Sequence, residues 1–193
     1  MPKTINRVYQ FKITLKDVKP AVWRRVQVES NFTLRQFSRV IQAAMGWAGG
    51  HLHLFNIGGE QYSVPNEDWE DVQDDSALVL GKVPAAALNK FIYEYDMGDG
   101  WRHLLELEAV GPAEPGKTYP ICLAGARACP PEDCGGPYGY QDFLAAIKDK
   151  KHPEHKEKLD WIGGHFDPEF FSLEEINTVL SDIDYDAGEE EPF

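Results

Sequence analysis

Apolar and polar residues alternate along two neighbouring segments near the start of the chain, VYQFKITLKDV and AVWRRVQVES. Residues two apart share one face of a strand, so this period predicts strands near residues 8–15 and 21–29. Pro20 lies in the short connection between them, where a bend is expected. The two segments together predict a hairpin.

The segment that follows, NFTLRQFSRVIQAAMGW, has the helical period instead. Apolar residues recur three or four positions apart: Leu34, Phe37, Val40, Ile41 and Ala44. Thr33 is a suitable N-cap and Gly46 a suitable end signal, so we predict a helix at about 33–45.

The remaining pattern predicts more strands and then helices. HLHLFNIGGEQYSV indicates a strand, a Gly-Gly turn and a second strand, and a second hairpin near 90–96 and 101–109 surrounds the turn MGDG. Helices are predicted near 139–150, 153–162 and 172–183, the last with a capping box that begins at Ser172. The acidic stretch at 66–75 is predicted to be a surface loop.

This order of elements predicts an α+β fold with one mixed or antiparallel sheet, a ββα opening that resembles the β-grasp arrangement, and a helical C-terminal third. A length of 193 residues favours one domain, which we assign to 1–185. Few contacts are expected after about Asp184, and 186–193 is assigned to an acidic tail, so that truncation at Tyr185 is expected to leave the melting temperature nearly unchanged.

The number and distribution of charged residues disfavour one class of function. The net charge is −13, but six acids lie in NEDWEDVQDD and six more in DIDYDAGEEEPF, and the rest of the chain holds 20 acids against 19 bases. Strong nonspecific binding to nucleic acid is therefore not expected, because it needs a dense basic surface. No apolar run is long enough to span a membrane, and no secretory h-region is present, so we expect a cytoplasmic protein with reduced thiols.

Three cysteines lie close together in the segment YPICLAGARACPPEDCGGPYGY, at positions Cys122, Cys129 and Cys134. Their spacing is compatible with a zinc site in which a histidine such as His103 supplies the fourth ligand. The alternative is that they are small buried side chains with no metal. The absence of a C-x-x-C pair disfavours a thioredoxin-type role.

The hairpin segment YEYDMGDGWRH carries the other candidates. Alternation places Trp101 and His103 on the inward face of the second strand, while Asp96 and Asp99 flank the turn, where aspartate also has a purely structural role. His51 and His53 share one face of an earlier strand, either as two metal ligands or as solvent-facing residues opposite Leu52 and Leu54.

Several of these segments occur here in one order: VWRRVQV, HLHLFNIGG, YEYDMGDGWRH, CLAGARACPPEDCGGPYGY and FDPEFFSLEEIN. From about Tyr9 to about Ile183 the chain resembles the plasmid pRiA4b ORF-3-like family, whose members occur on plasmids and as passengers of insertion elements. The resemblance implies no assigned reaction. One family label refers to a resolvase-like passenger, but the sequence has no serine-recombinase pattern and no basic DNA-binding helix.

Two functions stay open. The first, which the sequence favours, is a non-enzymatic binding module, with or without zinc at the cysteines, whose partner is a protein or a nucleic acid associated with mobile elements. The second is a metal-dependent hydrolase with Asp96, Asp99, His103, Glu132 and Asp133 around one divalent ion. We expect the CPPEDCGG loop to pack against the Trp101/His103 end of the second hairpin and to form the functional site there, with Asp96, Asp99, Glu132 and Asp133 nearby.

Overall fold

The computed structural model describes residues 7–66, 69 and 71–186. Its strands are β1 (Arg7–Leu15), β2 (Trp23–Glu29), β3 (His53–Ile57), β4 (Glu60–Ser63), β5 (Gln73–Asp74), β6 (Lys90–Tyr95), β7 (Trp101–Pro112) and β8 (Ile121–Ala126). Its α-helices are α1 (Leu34–Met45), α2 (Ala85–Leu88), α3 (Gly136–Lys148), α4 (His155–Trp161) and α5 (Leu173–Asp182), and a 3₁₀ turn spans Leu80–Lys82.

One sheet contains all eight strands, in the order β5-β4-β3-β6-β7-β1-β2-β8. Every neighbouring pair is antiparallel except β4 and β5. The predicted α+β class and both hairpins are confirmed. The β-grasp comparison is not confirmed, and the two long strands at the centre of the sheet, β1 and β7, run antiparallel.

Helix α1 covers one face of the sheet. Thr33 accepts a hydrogen bond from the Gln36 amide, and the Gln36 side chain accepts one from the Thr33 amide, which satisfies two amides at the helix start. Gly46 ends the helix at a φ of 91°, as its sequence predicted. Phe37 packs between Phe11 of β1 and Phe55 of β3, at ring distances of 5.0 and 6.2 Å.

The opposite face of the central strands is polar. Arg25 on β2 pairs with Glu108 on β7 at 2.5 Å, and Gln10 on β1 lies between them and donates to the same carboxylate. An antiparallel sheet tolerates one solvated face, and the alternating burial along β1 and β2 follows from it.

The C-terminal helices confirm the predicted helical third. Helix α5 packs against α1 and the edge strand β8. Asn177 accepts from the Cys122 amide at 2.7 Å and donates to the Cys122 carbonyl at 3.0 Å, so its side chain replaces a neighbouring strand at this edge. Ser172 accepts from the Glu175 amide and caps α5.

The predicted tail begins with ordered contacts. The Tyr185 ring lies 5.2 Å from that of Phe32, and Arg39 donates to the Asp184 carbonyl. Gln36 donates to the carbonyl of Tyr185 and to the carboxylate of Asp186. The expectation of few contacts after Asp184 was therefore wrong up to Asp186, because α1 presents side chains that bind this segment, and residues 187–193 lie outside the described residues.

Two other expectations need correction. Asp75, at the end of the predicted acidic surface loop, is fully buried and binds His53 at 2.7 Å and Arg35 at 2.8 Å. His53 faces the core with Phe55, whereas Leu52 and Leu54 are only partly buried. The carboxylate supplied by a distant segment permits a histidine at a core position.

In the part of the chain that is described, no helix has the length and apolarity to cross a bilayer.

Candidate metal site

Residues 129–136, which we call the cysteine loop, lie against residues 96–100, the hairpin turn between β6 and β7. The Gly135 amide donates to the Asp99 carboxylate at 3.2 Å. Gly136 has a φ of +68°, and a Cβ there would lie 2.3 Å from the Asp99 carbonyl oxygen. The close approach therefore requires glycine, and it matches the predicted packing of the loop on this end of the hairpin.

A second set of contacts fixes the middle of the cysteine loop. Glu132 accepts hydrogen bonds from the Tyr95 hydroxyl at 2.7 Å and from the Ala48 amide at 3.2 Å. Trp47 donates to the Pro130 carbonyl at 3.0 Å and stacks on Tyr95 at 4.9 Å. Burial and the Glu132 carboxylate raise the pKa of Tyr95, which keeps its hydroxyl protonated as the donor. Glu132, predicted as a binding residue, thus anchors the loop to β6.

These contacts bring the next residue, Asp133, beside Asp96 of the hairpin turn and His51 of the segment before β3. The Nδ1 atom of His51 lies 3.7 Å from Asp96 Oδ2, and its Nε2 atom lies 3.6 Å from Asp133 Oδ1. One ligand atom from each residue fits within a mutual distance of 4.8 Å. Within residues 7–66, 69 and 71–186, no other group of three or more histidine, cysteine or acidic residues meets that distance.

Both aspartates have left-handed backbones, with φ of 56° at Asp96 and 59° at Asp133. Such values are uncommon outside glycine and cluster at functional sites and tight turns. The Oδ1 atom of Asp96 accepts from the amides of Gly98 and Asp99, at 2.9 and 3.2 Å. Those bonds fix the carboxylate so that its other oxygen, Oδ2, points at His51.

One imidazole and two carboxylates form a donor set suited to a divalent cation. The His51 nitrogens lie too far from the carboxylates for a good hydrogen bond. Two ligand atoms that each lie about 2.1 Å from the same ion are about 3.0–3.4 Å from each other, slightly closer than the distances of 3.6 and 3.7 Å found here. An ion held by all three residues takes one of the two nitrogens and leaves the other to donate to an outer acceptor. The site is open, since the Asp133 side chain is 73% exposed and that of His51 34%.

The sequence named Asp96 and Asp133 and missed His51 as their companion. It did single out His51 as one half of a pair with His53, but His53 instead binds Asp75 in the core. The third predicted carboxylate, Asp99, accepts from Gly135 and lies beside the group without belonging to it.

The residues predicted to hold zinc are not brought together as a group. Cys122 lies buried in β8, with its Sγ 3.5 Å from the Ala124 carbonyl, and Cys129 and Cys134 lie on the partly buried cysteine loop. All three are free thiols, and burial raises the pKa of each, that of Cys134 to about 12. This arrangement is that of protonated, packed thiols, and a zinc site at the cysteines stays a prediction.

His103 faces inward, as alternation indicated, and so does Trp101. The Nδ1 atom of His103 lies 3.3 Å from the Tyr93 carbonyl, whereas its Nε2 atom has no hydrogen-bond partner among the described residues. Burial lowers the pKa of His103 to about 4, so the ring is neutral at pH 7. His103 is therefore part of the packing beneath the hairpin turn and does not join the His51 group.

The sheet and the open His/Asp/Asp group define an α+β protein with a candidate metal site on the loops at one end of its sheet. The model of the family described as plasmid pRiA4b ORF-3-like protein matches residues 7–175, a range that contains all three residues of the group. The chain belongs to this family.

Two relatives extend the comparison. The uncharacterized protein y4hQ of Sinorhizobium fredii (strain NBRC 101917 / NGR234) is 38% identical over 182 residues, 93% of either chain. A solved structure, that of the protein of unknown function MM3350 from Methanosarcina mazei Go1, is 34% identical, with a TM-score of 0.82 over 89% of this chain and 98% of that one. The fold is thus shared across nearly the whole length of the solved relative.

Proposed function

We propose that the protein binds one divalent metal ion through His51, Asp96 and Asp133 and uses it to activate water for a hydrolytic reaction. The observation that carries this proposal is the convergence of the three side chains at an open, solvent-reached position. A closed site of four thiolates is typical of structural zinc, whereas an open site of carboxylate and imidazole leaves coordination positions for water and substrate.

Each element has a distinct role in this proposal. The hairpin turn holds Asp96 through the amides of Gly98 and Asp99, and the cysteine loop delivers Asp133. Glu132 and Tyr95 position that loop without touching the ion. A zinc ion held by His51, Asp96 and Asp133 would lower the pKa of its bound water toward about 7 and would polarise the bond under attack. A reducing compartment such as the cytoplasm suits the chain, because all three cysteines are free thiols.

Metal binding is tested by titrating metal-free protein with Mn²⁺ and with Zn²⁺ in a calorimeter, and by the loss of the free Mn²⁺ resonance signal. We expect one site. Asp96→Asn and His51→Gln remove proposed ligands, so each should weaken it by more than the roughly 10- to 100-fold that is typical of losing an outer partner of a ligand. Asp142→Asn, on the exposed side of α3, is the matched control and should bind as the unmodified chain does. Equal affinity in all four proteins would remove the site.

Hydrolysis is tested separately with bis(4-nitrophenyl) phosphate and 4-nitrophenyl acetate, with and without the bound metal. The proposal requires turnover of an ester substrate that depends on metal and is lost in Asp96→Asn. Metal binding without turnover on any ester tested would leave a metal-binding protein and exclude the hydrolytic role.

A second candidate is the non-enzymatic binding module. It is favoured by a cavity of about 370 Å³ between the end of α1, the cysteine loop and α5, where Phe170 and Val179 are half exposed. Exposed apolar side chains at a concave surface are typical of protein-binding sites. The partner in this candidate is a protein or nucleic acid associated with mobile elements, and zinc at the cysteines belongs to the same candidate.

The two candidates respond to different substitutions. Phe170→Ser should abolish association with a partner purified from the host and leave Mn²⁺ binding unchanged. Asp96→Asn should do the reverse. Partner association that survives Phe170→Ser would argue against this cavity as the binding surface.

A further inference from the structure

One residue of the proposed metal site, Asp133, also lines a cleft. Asp133 and Cys134 of the cysteine loop form one wall, and Phe143 of α3 with Glu157, Lys158 and Trp161 of α4 form the other. Its volume is about 410 Å³, within the range of about 300–1,000 Å³ that is usual for small-molecule sites. A ligand in this cleft touches the residue proposed to hold the metal.

Trp161 gives the cleft an aromatic surface. Trp161 is 48% exposed, and no other tryptophan in the described part of the chain reaches that degree of exposure. The edge-to-face contact with Phe143, at 5.7 Å and 75°, fixes the ring from one side. A fixed, half-exposed indole is a suitable platform for stacking a planar ring.

Lys158 gives the cleft a positive charge. It lies three residues before Trp161 in α4, so the two side chains project from the same side of the helix. Lys158 forms no ion pair with a described residue, whereas Lys156 in the same helix pairs with Asp160. Its ammonium group is therefore available to an anionic ligand, while the carboxylates of Asp133 and Glu157 in the same cleft repel one unless a cation neutralises them.

We propose that this cleft binds a mononucleotide, with the base stacked on Trp161 and the phosphate between Lys158 and the metal at Asp133. A planar ring and a phosphate on one ligand match the aromatic platform, the lysine and the metal, and the nearby carboxylates make binding depend on the metal. The inference rests on the metal site of the proposed function. A free nucleotide is favoured over a nucleic acid strand because a strand needs a dense basic surface, whereas the cleft holds one lysine beside Asp133 and Glu157.

The test measures binding of adenosine 5′-monophosphate to the full chain saturated with Mn²⁺, by calorimetry. Three probes are compared with it. Adenosine lacks the phosphate, ribose 5-phosphate lacks the base, and a twelve-nucleotide single strand represents a nucleic acid. We expect the monophosphate to bind on the order of tenfold more tightly than either fragment, and more tightly per site than the strand. A strand that binds best, or ribose 5-phosphate that binds equally well, would overturn the mononucleotide assignment.

Two variants locate the ligand. Trp161→Leu should weaken the monophosphate and adenosine on the order of tenfold and leave ribose 5-phosphate unchanged. Lys158→Gln, a change that removes no packed ring, should weaken both phosphates and leave adenosine unchanged. Tyr138→Leu is the matched aromatic control, since Tyr138 is 82% exposed on α3 and lines a different cavity. Unchanged affinity in both cleft variants, or a loss in Tyr138→Leu alone, would overturn the proposal.

Mn²⁺ affinity measured without nucleotide separates this inference from the function on which it rests. Mn²⁺ bound through His51 and Asp96 with no nucleotide binding would refute the cleft alone. No Mn²⁺ binding would refute the metal site, and the metal-dependent nucleotide site with it.

Discussion

Replacing Gly136 by alanine tests the junction that assembles the proposed metal site. The residue has a φ of +68°, and the added Cβ would lie 2.3 Å from the carbonyl oxygen and 3.2 Å from the carbonyl carbon of Asp99. Both contacts are with backbone, which cannot move aside as a flexible side chain does. The cysteine loop and the hairpin turn must therefore separate, or one of them must distort.

The magnitude has two parts. A left-handed conformation costs an L-residue about 1–2 kcal/mol, and overpacking against fixed atoms costs about 1–3 kcal/mol more. Gly116→Ala is the matched control, because Gly116 has a φ of +81° but a Cβ added there would meet nothing within 4 Å. We expect urea unfolding to show a loss of about 2–5 kcal/mol for Gly136→Ala and about 1–2 kcal/mol for the control.

The same pair of variants reports on the site. Separation of the loop from the turn moves Asp133 away from Asp96, so Mn²⁺ affinity should fall about 10- to 100-fold in Gly136→Ala and stay unchanged in Gly116→Ala. Equal unfolding energies and equal Mn²⁺ affinities in the two variants would refute both the tight approach at Gly136 and its role in assembling the site.

The buried residues His103 and Asp75 and the C-terminal residue Tyr185 each give a prediction about stability. Because burial lowers the pKa of His103 from 6.5 to about 4, the unfolded chain binds a proton that the folded chain does not, and stability should fall by about 3 kcal/mol as pH drops from about 6.5 to about 4. Asp75→Asn leaves His53 and Arg35 without their shared carboxylate and should cost about 3–5 kcal/mol in urea unfolding. Tyr185→Ala removes a ring contact and a hydrogen bond to the Leu180 carbonyl and should cost about 1–2 kcal/mol by the same measurement.

Each has its own control. The His103→Gln variant should show a shallower loss over the same pH range, and an identical slope would assign the effect to other groups. Asp74→Asn removes the exposed partner of Arg35 and should cost less than about 1 kcal/mol, so equal losses at Asp74 and Asp75 would contradict the importance of burial. An unchanged unfolding curve for Tyr185→Ala would mean that the ordered start of the C-terminal segment does not stabilise the body.

Local patterning predicted the hairpins and α1 well, because the strand period, the Thr33 cap and the Gly46 end signal act within a few residues. His53 was assigned to the wrong face because its neighbours Leu52 and Leu54 are apolar. What places a histidine inside is the carboxylate of Asp75, 22 residues away in sequence, at 2.7 Å. No short-range pattern contains that contact.

Part of the candidate site could also be predicted from local sequence. The richness of the cysteine loop in Pro, Gly and Cys predicted that it packs on the Trp101/His103 end of the second hairpin, and contacts with the hairpin turn at that end are present. The sequence could not predict which residues form the metal-binding group, because this depends on how the loops pack and on the direction in which each side chain then points. Cys122 is close to Cys129 in sequence, yet it belongs to a strand that packs against α5. His51 belongs to a different segment, before β3, and still lies within 4 Å of both aspartates.

The pairing at the centre of the sheet has a consequence for how the chain acquires its structure. Phe11 on β1 lies opposite Leu107 on β7, a separation of 96 residues, so the two longest strands meet only after a large loop has closed. Folding rates fall as such long-range contacts increase. During synthesis on a ribosome, the first hairpin and α1 are made well before β7. Their apolar face stays uncovered until the later strands are made. That interval is when this protein is most exposed to aggregation, and a chaperone that shields the face would act then.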